Sequence, residues 1–319
     1  MKIVVLERDS VGKDIAVNCF EDFGEVTYYS NTTTVDEVRQ RVADADVVIA
    51  NKAPLRREAL EGAENLKFIG ILATGYDNCD LEFCRERGIR VTNVVNYSTA
   101  MVAQHTITLA LALSQKIVHY DRYVKSGAYS AQSSFSNFAE PFRELEGKTW
   151  GIVGMGNIGS RVAKIASALG CRVITHSITG RKSNGEYETV DKDTLLEQCD
   201  FLSLHCPLSD LSRNFIDAEA LRKMKKSAIL INVARGPVVN NAELYHALEN
   251  GEIAAAGLDV LEKEPMELTN PLSRIQDSSR LLITPHLAWA SVEARNRCVE
   301  GIYLNLKAFL NGEERNVVC

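Results

Sequence analysis

Short apolar runs recur along the first part of the chain, each followed by a polar or amphipathic stretch. The runs at Lys2–Leu6, Glu25–Tyr29, Ala45–Ala50, Leu66–Ala73 and Arg90–Asn93 read as strands, and Val35–Val42 and Asp80–Arg87 carry helical spacing between them. The strand runs are apolar on both faces, and strand–helix alternation of this kind predicts a parallel sheet covered on each side. The pattern then changes. Met101 to Ile117 is apolar around most of its circumference, so it predicts a buried helix, placed in a seam between domains or a subunit interface. Its polar exceptions are Gln104 and His105, and His105 reads as a satisfied core or interface histidine rather than a catalytic one. Ser126 to Phe142 mixes serines and aromatics without a period and reads as a surface segment that could reach a partner subunit.

A second alternating series opens at Lys148-Thr149-Trp150-Gly151-Ile152-Val153-Gly154-Met155-Gly156-Asn157-Ile158-Gly159. This is an apolar strand, a glycine turn and the start of a helix. Ile158, Val162, Ile165, Ala166 and Leu169 share one face of that helix, Gly170 stands where a C′ residue belongs, and Cys171-Arg172-Val173-Ile174-Thr175 follows as a strand. G-x-G-x-x-G by itself is weak evidence, and a structural turn is the alternative. Flanked by strand and helix, it reads as a phosphate-binding turn: Gly154 for the tight bend, Gly156 for close approach of a pyrophosphate, Gly159 for helix–strand packing, with the helix N-terminus at Asn157 and Ile158 offering N–H groups. Further strands at Phe201–Leu204, Ala228–Val233, Ala254–Val260 and Leu281–Thr284 bring this series to six, with helices at Ala218–Met224 and Asn241–Asn250 between some of them. Because this series starts mid-chain, the pattern predicts an α/β protein of two doubly wound parallel-sheet domains. A Rossmann dinucleotide-binding domain of residues 99–290 is inserted into a flavodoxin-like substrate domain of residues 1–98 and 291–319, to which the helix Ser291 to Leu310 returns. A ligand site is expected in a cleft between them.

Composition narrows the class. The 319 residues are ordinary for a globular protein, and a net charge of −6 argues against nucleic acid or an anionic membrane as partner. No apolar run is long enough to span a bilayer, and Met1 leads directly into a strand with no signal-like segment. The eight cysteines form no C-x-x-C pair and read as reduced thiols of a cytoplasmic protein; no metal-ligand cluster is visible.

The candidate chemistry lies just after strands of the second series. Arg235 follows Ile229–Ala234, Glu264 follows Gly257–Lys263, and His286 follows Leu281–Pro285. Strand carboxyl ends point into the ligand crevice of an open α/β sheet. A guanidinium can hold a carboxylate bidentately. A histidine can give a proton to a carbonyl oxygen as hydride reaches the carbon, and a glutamate beside it favours the imidazolium and fixes its orientation. Taken singly, each reads as a loop residue or surface cation. Together, behind a dinucleotide turn, they fit hydride reduction of a 2-oxo acid. In the first series Ala73-Thr74-Gly75-Tyr76-Asp77-Asn78 ends a strand, and its N–H groups could take a small anion, an ordinary βα turn being the alternative.

Four stretches in order, Gly154–Gly159, Asn232-Val233-Ala234-Arg235-Gly236, Gly257-Leu258-Asp259-Val260 with Glu264-Pro265, and Thr284-Pro285-His286, resemble the D-isomer-specific 2-hydroxyacid dehydrogenase family over nearly the whole chain. The resemblance implies Arg235, Glu264 and His286 as the catalytic set, and backbone N–H groups of Thr74 and Gly75 on the substrate carboxylate. It also implies Asp259 and the Val233 carbonyl on the nicotinamide amide, His205, Cys206 and Pro207 as walls of the adenosine site, Ser212 near the phosphates, and a homodimer. Asn96–Thr99 with Val102–His105, and Trp289, are most similar to the glycerate dehydrogenase (hydroxypyruvate reductase) members. The implied reaction is reduction of hydroxypyruvate or glyoxylate to D-glycerate or glycolate. Alternatives are another D-2-hydroxyacid dehydrogenase, of D-lactate or phosphoglycerate type, or a non-catalytic, corepressor-like NAD(H) binder. One departure concerns the cofactor: Ser177 stands where an acid normally binds the ribose 2′-hydroxyl, with Arg181 and Lys182 close behind. Either NADPH is accepted through Arg181 or Lys182, or those cations are solvated and Ser177 tolerates NAD.

Overall fold

The computed structural model describes residues 1–180 and 185–319 and divides into two compact units, Met1–Ser98 with Trp289–Cys319, and Thr99–Ala288.

In the first unit, strands β1 (Lys2–Val5), β2 (Glu25–Tyr28), β3 (Val47–Ala50), β4 (Phe68–Ile71) and β5 (Arg90–Thr92) form an all-parallel sheet in the order β2-β1-β3-β4-β5. This is the flavodoxin-like order, and all five expected runs are strands. Every residue of β3 and β4 is buried, which is why those runs carry no polar alternation. Helix Val35–Val42 packs one face of the sheet and opens with a capping box between Thr34 and Glu37. Helix Val292–Leu310 covers the other face, where Gly70 brings the sheet so close that a Cβ there would lie 2.8 Å from Ile302. The chain end pairs beside β5 through an antiparallel bridge between Thr92 and Val317.

The second unit carries β6 (Thr149–Val153), β7 (Arg172–His176), β8 (Glu188–Thr189), β9 (Phe201–Leu204), β10 (Ile229–Asn232), β11 (Ala255–Leu258) and β12 (Leu281–Ile283). They form a parallel sheet in the order β12-β11-β10-β9-β6-β7-β8. The six expected strands are therefore seven. The addition, β8, is two exposed residues on the sheet edge, too short to leave a hydrophobic signature. The order reverses between β6 and β9, the position at which doubly wound sheets bind ligands. Helices Asn157–Ala168 and Thr99–Ser114 cover one face, packed on Trp150, Ile152 and Ile231. The second of these is the expected apolar helix, buried within this unit. It stops earlier than its pattern suggested, at Ser114, and a separate helix, Ile117–Lys125, follows after Lys116 turns left-handed at φ 53°. Between residues 126 and 142 one short helix, Ala128–Ala131, forms, and Phe135 and Phe138 stand 89% and 84% exposed. Among the described residues no helix is long and apolar enough to cross a membrane.

Candidate active site

The three glycines of the turn after β6 have three different surroundings. Gly154 is left-handed, at φ 95°, and a Cβ on it would lie 2.9 Å from the backbone nitrogen of Cys206. A Cβ on Gly159 would lie 2.2 Å from the Gly154 carbonyl oxygen, so no side chain fits between helix and turn. A Cβ on Gly156 would meet no atom of the described residues beyond its chain neighbours within 4 Å: it faces open space. That space is a cavity of about 710 Å³ bounded by the ends of β6, β7 and β9, within the roughly 300–1,000 Å³ of small-molecule sites. Gly154, Gly156, Ser177, His205, Cys206, Pro207 and Ser212 all line it; Asn157 and Ile158 open the helix beside it, Ile158 packing into the core. The described lining residues include no lysine or arginine, so a pyrophosphate there would rely on turn N–H groups and the helix N-terminus. The residues present fit a dinucleotide. Arg181 and Lys182 lie outside the described residues.

Several polar groups around this cavity are tied back into the protein, whereas His205 Nδ1 is buried with no hydrogen-bond partner among the described residues. Ser212 is buried, accepts from the Ser209 nitrogen at 2.7 Å and gives its single proton to the Pro207 carbonyl at 2.8 Å, which locks the loop after β9. Trp150 Nε1 donates to Ser203 Oγ at 2.9 Å, and Ser203 Oγ lies 3.0 Å from His205 Nε2. Burial pushes the His205 imidazole down to about 3, so it is neutral at neutral pH, and pushes the Cys206 thiol up to about 11, so it stays protonated.

Arg235, Glu264 and His286 follow β10, β11 and β12, three neighbouring strands. The structure brings Glu264 and His286 into direct contact, with His286 Nδ1 2.6 Å from Glu264 Oε2. The other carboxylate oxygen, Oε1, accepts the Leu261 backbone N–H at 2.9 Å. Both oxygens of Glu264 are thus held, one by its own loop and one by the imidazole. His286 is left-handed, at φ 53°, a conformation unusual for a side chain of this size. Its N–H donates to the Asp259 carbonyl at 2.8 Å and to the Thr284 carbonyl at 2.9 Å. Arg235 opens a short turn and donates through Nη1 to the Ala234 carbonyl at 2.8 Å. The preceding residues are braced by Asn232, which accepts from the Ala234 nitrogen and donates to the Arg235 carbonyl, both at 3.0 Å. Val233 lies between, half-buried against the core.

Asp259 has a definite structural task. It is 1% exposed and accepts three hydrogen bonds: from Leu287 N at 2.9 Å, Ala288 N at 2.8 Å and Thr284 Oγ1 at 2.6 Å. A carboxylate has about four lone-pair positions, so most of its capacity goes to fixing the segment that carries His286. Since the Thr284 hydroxyl spends its proton on Asp259, it must accept from His105 Nε2–H, 3.0 Å away. Burial pushes the His105 imidazole down, against the pull of Asp259. His105 is therefore a satisfied buried histidine, and it braces the end of β12. Nothing in the local pattern around Thr284 reveals this bond, because its partners lie 25 and 179 residues away. Gly236 is equally silent in the sequence. A Cβ on it would fall 1.8 Å from the Leu261 carbonyl oxygen, so the loops after β10 and β11 touch backbone to backbone. Thr74 and Gly75 lie in the first unit at the end of β4, Thr74 exposed and Gly75 half-buried.

Comparison with known proteins shows the family. The family model for the D-isomer specific 2-hydroxyacid dehydrogenase NAD binding domain matches residues 107–288. Hydroxypyruvate reductase of Blautia hydrogenotrophica is 38% identical, covering 100% of this chain and 99% of that protein. Glycerate dehydrogenase of Methylorubrum extorquens is 38% identical over 99% of this chain and 98% of its own. Among solved structures, an acyclic imino acid reductase in complex with NADPH and D-Arg superposes with a TM-score of 0.87 at 28% identity, covering the whole of both chains. The chain therefore belongs to the D-isomer specific 2-hydroxyacid dehydrogenase family, oxidoreductases that act on a CH–OH group with a nicotinamide dinucleotide.

Proposed function

We propose that this protein reduces a small 2-oxo acid, hydroxypyruvate or glyoxylate, to D-glycerate or glycolate. The observation that carries the reading is the Glu264–His286 pair at 2.6 Å, at the ends of adjacent strands in a chain of this family. Full-length relatives named hydroxypyruvate reductase and glycerate dehydrogenase support the substrate class.

When bound, a nicotinamide dinucleotide would supply the hydride. Arg235 would hold the substrate carboxylate through its guanidinium fork, and the backbone N–H groups of Thr74 and Gly75 would share it. With His286 Nδ1 on Glu264, the ring would give a proton to the carbonyl oxygen through Nε2 and recover it in the oxidative direction. Glu264 fixes the ring, and its Leu261 N–H anchor keeps the carboxylate from following the ring. Asp259 and the Val233 carbonyl would receive the nicotinamide amide, and His205, Cys206 and Pro207 would wall the adenosine.

On this reading NADPH is accepted beside NADH. Ser177 immediately follows β7 and lines the cavity, offering a hydroxyl where a carboxylate would repel a 2′-phosphate. Ser177→Asp should shift the preference toward NADH, and an unchanged NADPH-to-NADH ratio would remove the assignment. The protein acts as a homodimer, a reading supported by Phe135 and Phe138 and tested by sedimentation. The direct experiment is initial-rate consumption of NADH and NADPH with hydroxypyruvate, glyoxylate and pyruvate. Fast turnover of the first two is expected. Faster turnover of pyruvate would move the assignment to the D-lactate type, and tight cofactor binding with no turnover of any would favour the corepressor-like reading.

A further inference from the structure

The loop that follows β4 is held by a set of three amides, two of them buried and that of Asn316 half-buried. Asn93, 4% exposed, donates from Nδ2 to the Thr74 carbonyl at 2.7 Å. Its own carbonyl accepts from Asn305 Nδ2 at 2.8 Å, and Asn305, on the closing helix, is 1% exposed. Asn305 Oδ1 accepts from Asn316 Nδ2 at 3.0 Å, and the Asn316 carbonyl accepts from the Asn93 N–H at 3.2 Å. The three asparagines close a ring, with Asn93 Nδ2 extending from it to Thr74. The amide orientations follow from the partners. A carbonyl can only accept, so the groups of Asn93 and Asn305 that face carbonyls must be NH₂; Asn305 then presents oxygen to Asn316, which must donate. Glycine makes the contact possible: Gly301, one turn before Asn305, would place a Cβ 2.5 Å from Val94, so only a bare backbone lets the helix come this near. Two more bonds fix the same loop, Val94 N to the Ala73 carbonyl at 3.0 Å and Thr74 Oγ1 to the Val94 carbonyl at 2.9 Å.

The peptide between Thr74 and Gly75 is a planar trans unit, so its C=O and N–H point in opposite directions. Pinning the Thr74 carbonyl onto a buried amide therefore turns the Gly75 N–H away from the core. We propose that Asn93, Asn305 and Asn316 are positioning residues for substrate binding, and that their ring aims the Gly75 N–H at the substrate carboxylate. The inference rests on the reading of Thr74 and Gly75 given under Proposed function. Buried polar networks lose most when one member is removed, because the remaining groups stay unpaired. The effect of a substitution should therefore pass along the ring to the Gly75 amide.

The experiment is steady-state kinetics of Asn93→Ala and Asn305→Ala with glyoxylate, together with oxalate inhibition, cofactor titration and hydrogen exchange. Loss of one well-aimed hydrogen bond to a carboxylate predicts KM and the oxalate inhibition constant rising together by about tenfold. The cofactor dissociation constant and kcat should stay within about threefold, and amide exchange should accelerate in the peptide spanning residues 73–76. Asn305→Ala, two links from Thr74, provides the test if Asn93→Ala does not fold. A KM within about twofold of wild type in a folded variant would overturn the proposal, as would kcat and melting temperature falling with KM unchanged. Failure of the underlying reading shows in the wild type itself, as absent glyoxylate turnover and absent oxalate binding.

Discussion

Gly236→Ala tests whether the catalytic geometry is set by backbone contact. The added carbon would sit 1.8 Å from the Leu261 carbonyl oxygen, 1.9 Å from its carbon and 2.5 Å from the Glu262 nitrogen. Carbon and oxygen that are not bonded stay above about 3 Å, so the loops after β10 and β11 must part by more than about 1 Å. Neither loop can yield without consequence. Arg235 is the residue before Gly236, and Leu261 N is the anchor of Glu264 Oε1. A displacement of this size at a reacting group costs on the order of 10²-fold in rate, and overpacking adds about 1–3 kcal/mol of destabilisation. The variant should therefore fold, melt cooperatively at a lower temperature, and show kcat/KM with glyoxylate reduced about 100-fold. Cofactor affinity should fall by much less than the rate: the glycine turn follows β6, with β9 between β6 and β10, and only the nicotinamide end, at Val233 and Asp259, lies beside the displaced loops. Initial rates, cofactor fluorescence quenching and circular-dichroism melting measure the three quantities. A folded variant with kcat/KM within about threefold of wild type would refute the reasoning, since the backbone contact would then be irrelevant to the placement of Arg235 and Glu264.

Gly156→Ala should behave in the opposite way. Its methyl meets no atom of the described residues beyond its chain neighbours within 4 Å, so the melting temperature should hold while the cofactor dissociation constant rises by about tenfold or more, as expected of a methyl in pyrophosphate space; unchanged affinity would show that the cofactor does not lie against this glycine. A pH prediction follows from His205. Its folded value is pushed down to about 3, against about 6.5 in the unfolded chain. The unfolded state therefore binds the extra proton, and the stability from this group is full above about pH 6.5 and lost as pH falls toward 3. The melting temperature should drop between pH 7 and pH 5, and His205→Asn should reduce that drop; equal drops in variant and wild type would remove the argument.

Much of the fold was legible because it depends on local composition. Strands such as β3 and β6 are buried along their whole length and read as unbroken apolar runs, and their spacing with helices leaves few topologies open. The glycine turn was legible for a similar reason: Gly159 answers a constraint a few residues away, at the Gly154 carbonyl, and Gly154 one at the neighbouring loop of His205 and Cys206, while Gly156 faces the cavity. What stayed hidden depends on distance in sequence or on marginal burial. Strand β8 exists as pairing with Ile174 and Thr175, and both its residues are exposed. Helix Ile117–Lys125 has no buried residue, and the break before it is made by Lys116, a residue that gives no warning of a left-handed turn. The site shows the same division. Arg235, Glu264 and His286 announce themselves by chemistry, whereas the asparagine ring joins residues that are 11 and 212 positions apart and carries no motif.

The loops after β10, β11 and β12 form one connected body. Gly236 abuts Leu261, Leu261 N holds Glu264, Glu264 holds His286, the His286 N–H holds the Asp259 carbonyl, and the Asp259 carboxylate holds Leu287 and Ala288. Most of these links use backbone groups, so they are insensitive to the side chains around them. A substrate that differs only beyond its carboxylate and carbonyl meets the same guanidinium and the same imidazole, and the body gives it no reason to be accepted or refused. Discrimination among 2-oxo acids must then come from side chains outside these three loops. A substitution that exchanges one substrate for another while leaving kcat intact should therefore not fall within residues 233–238, 259–264 or 284–288. One that does would show that the connected loops adapt to the substrate instead of presenting a fixed arrangement to it.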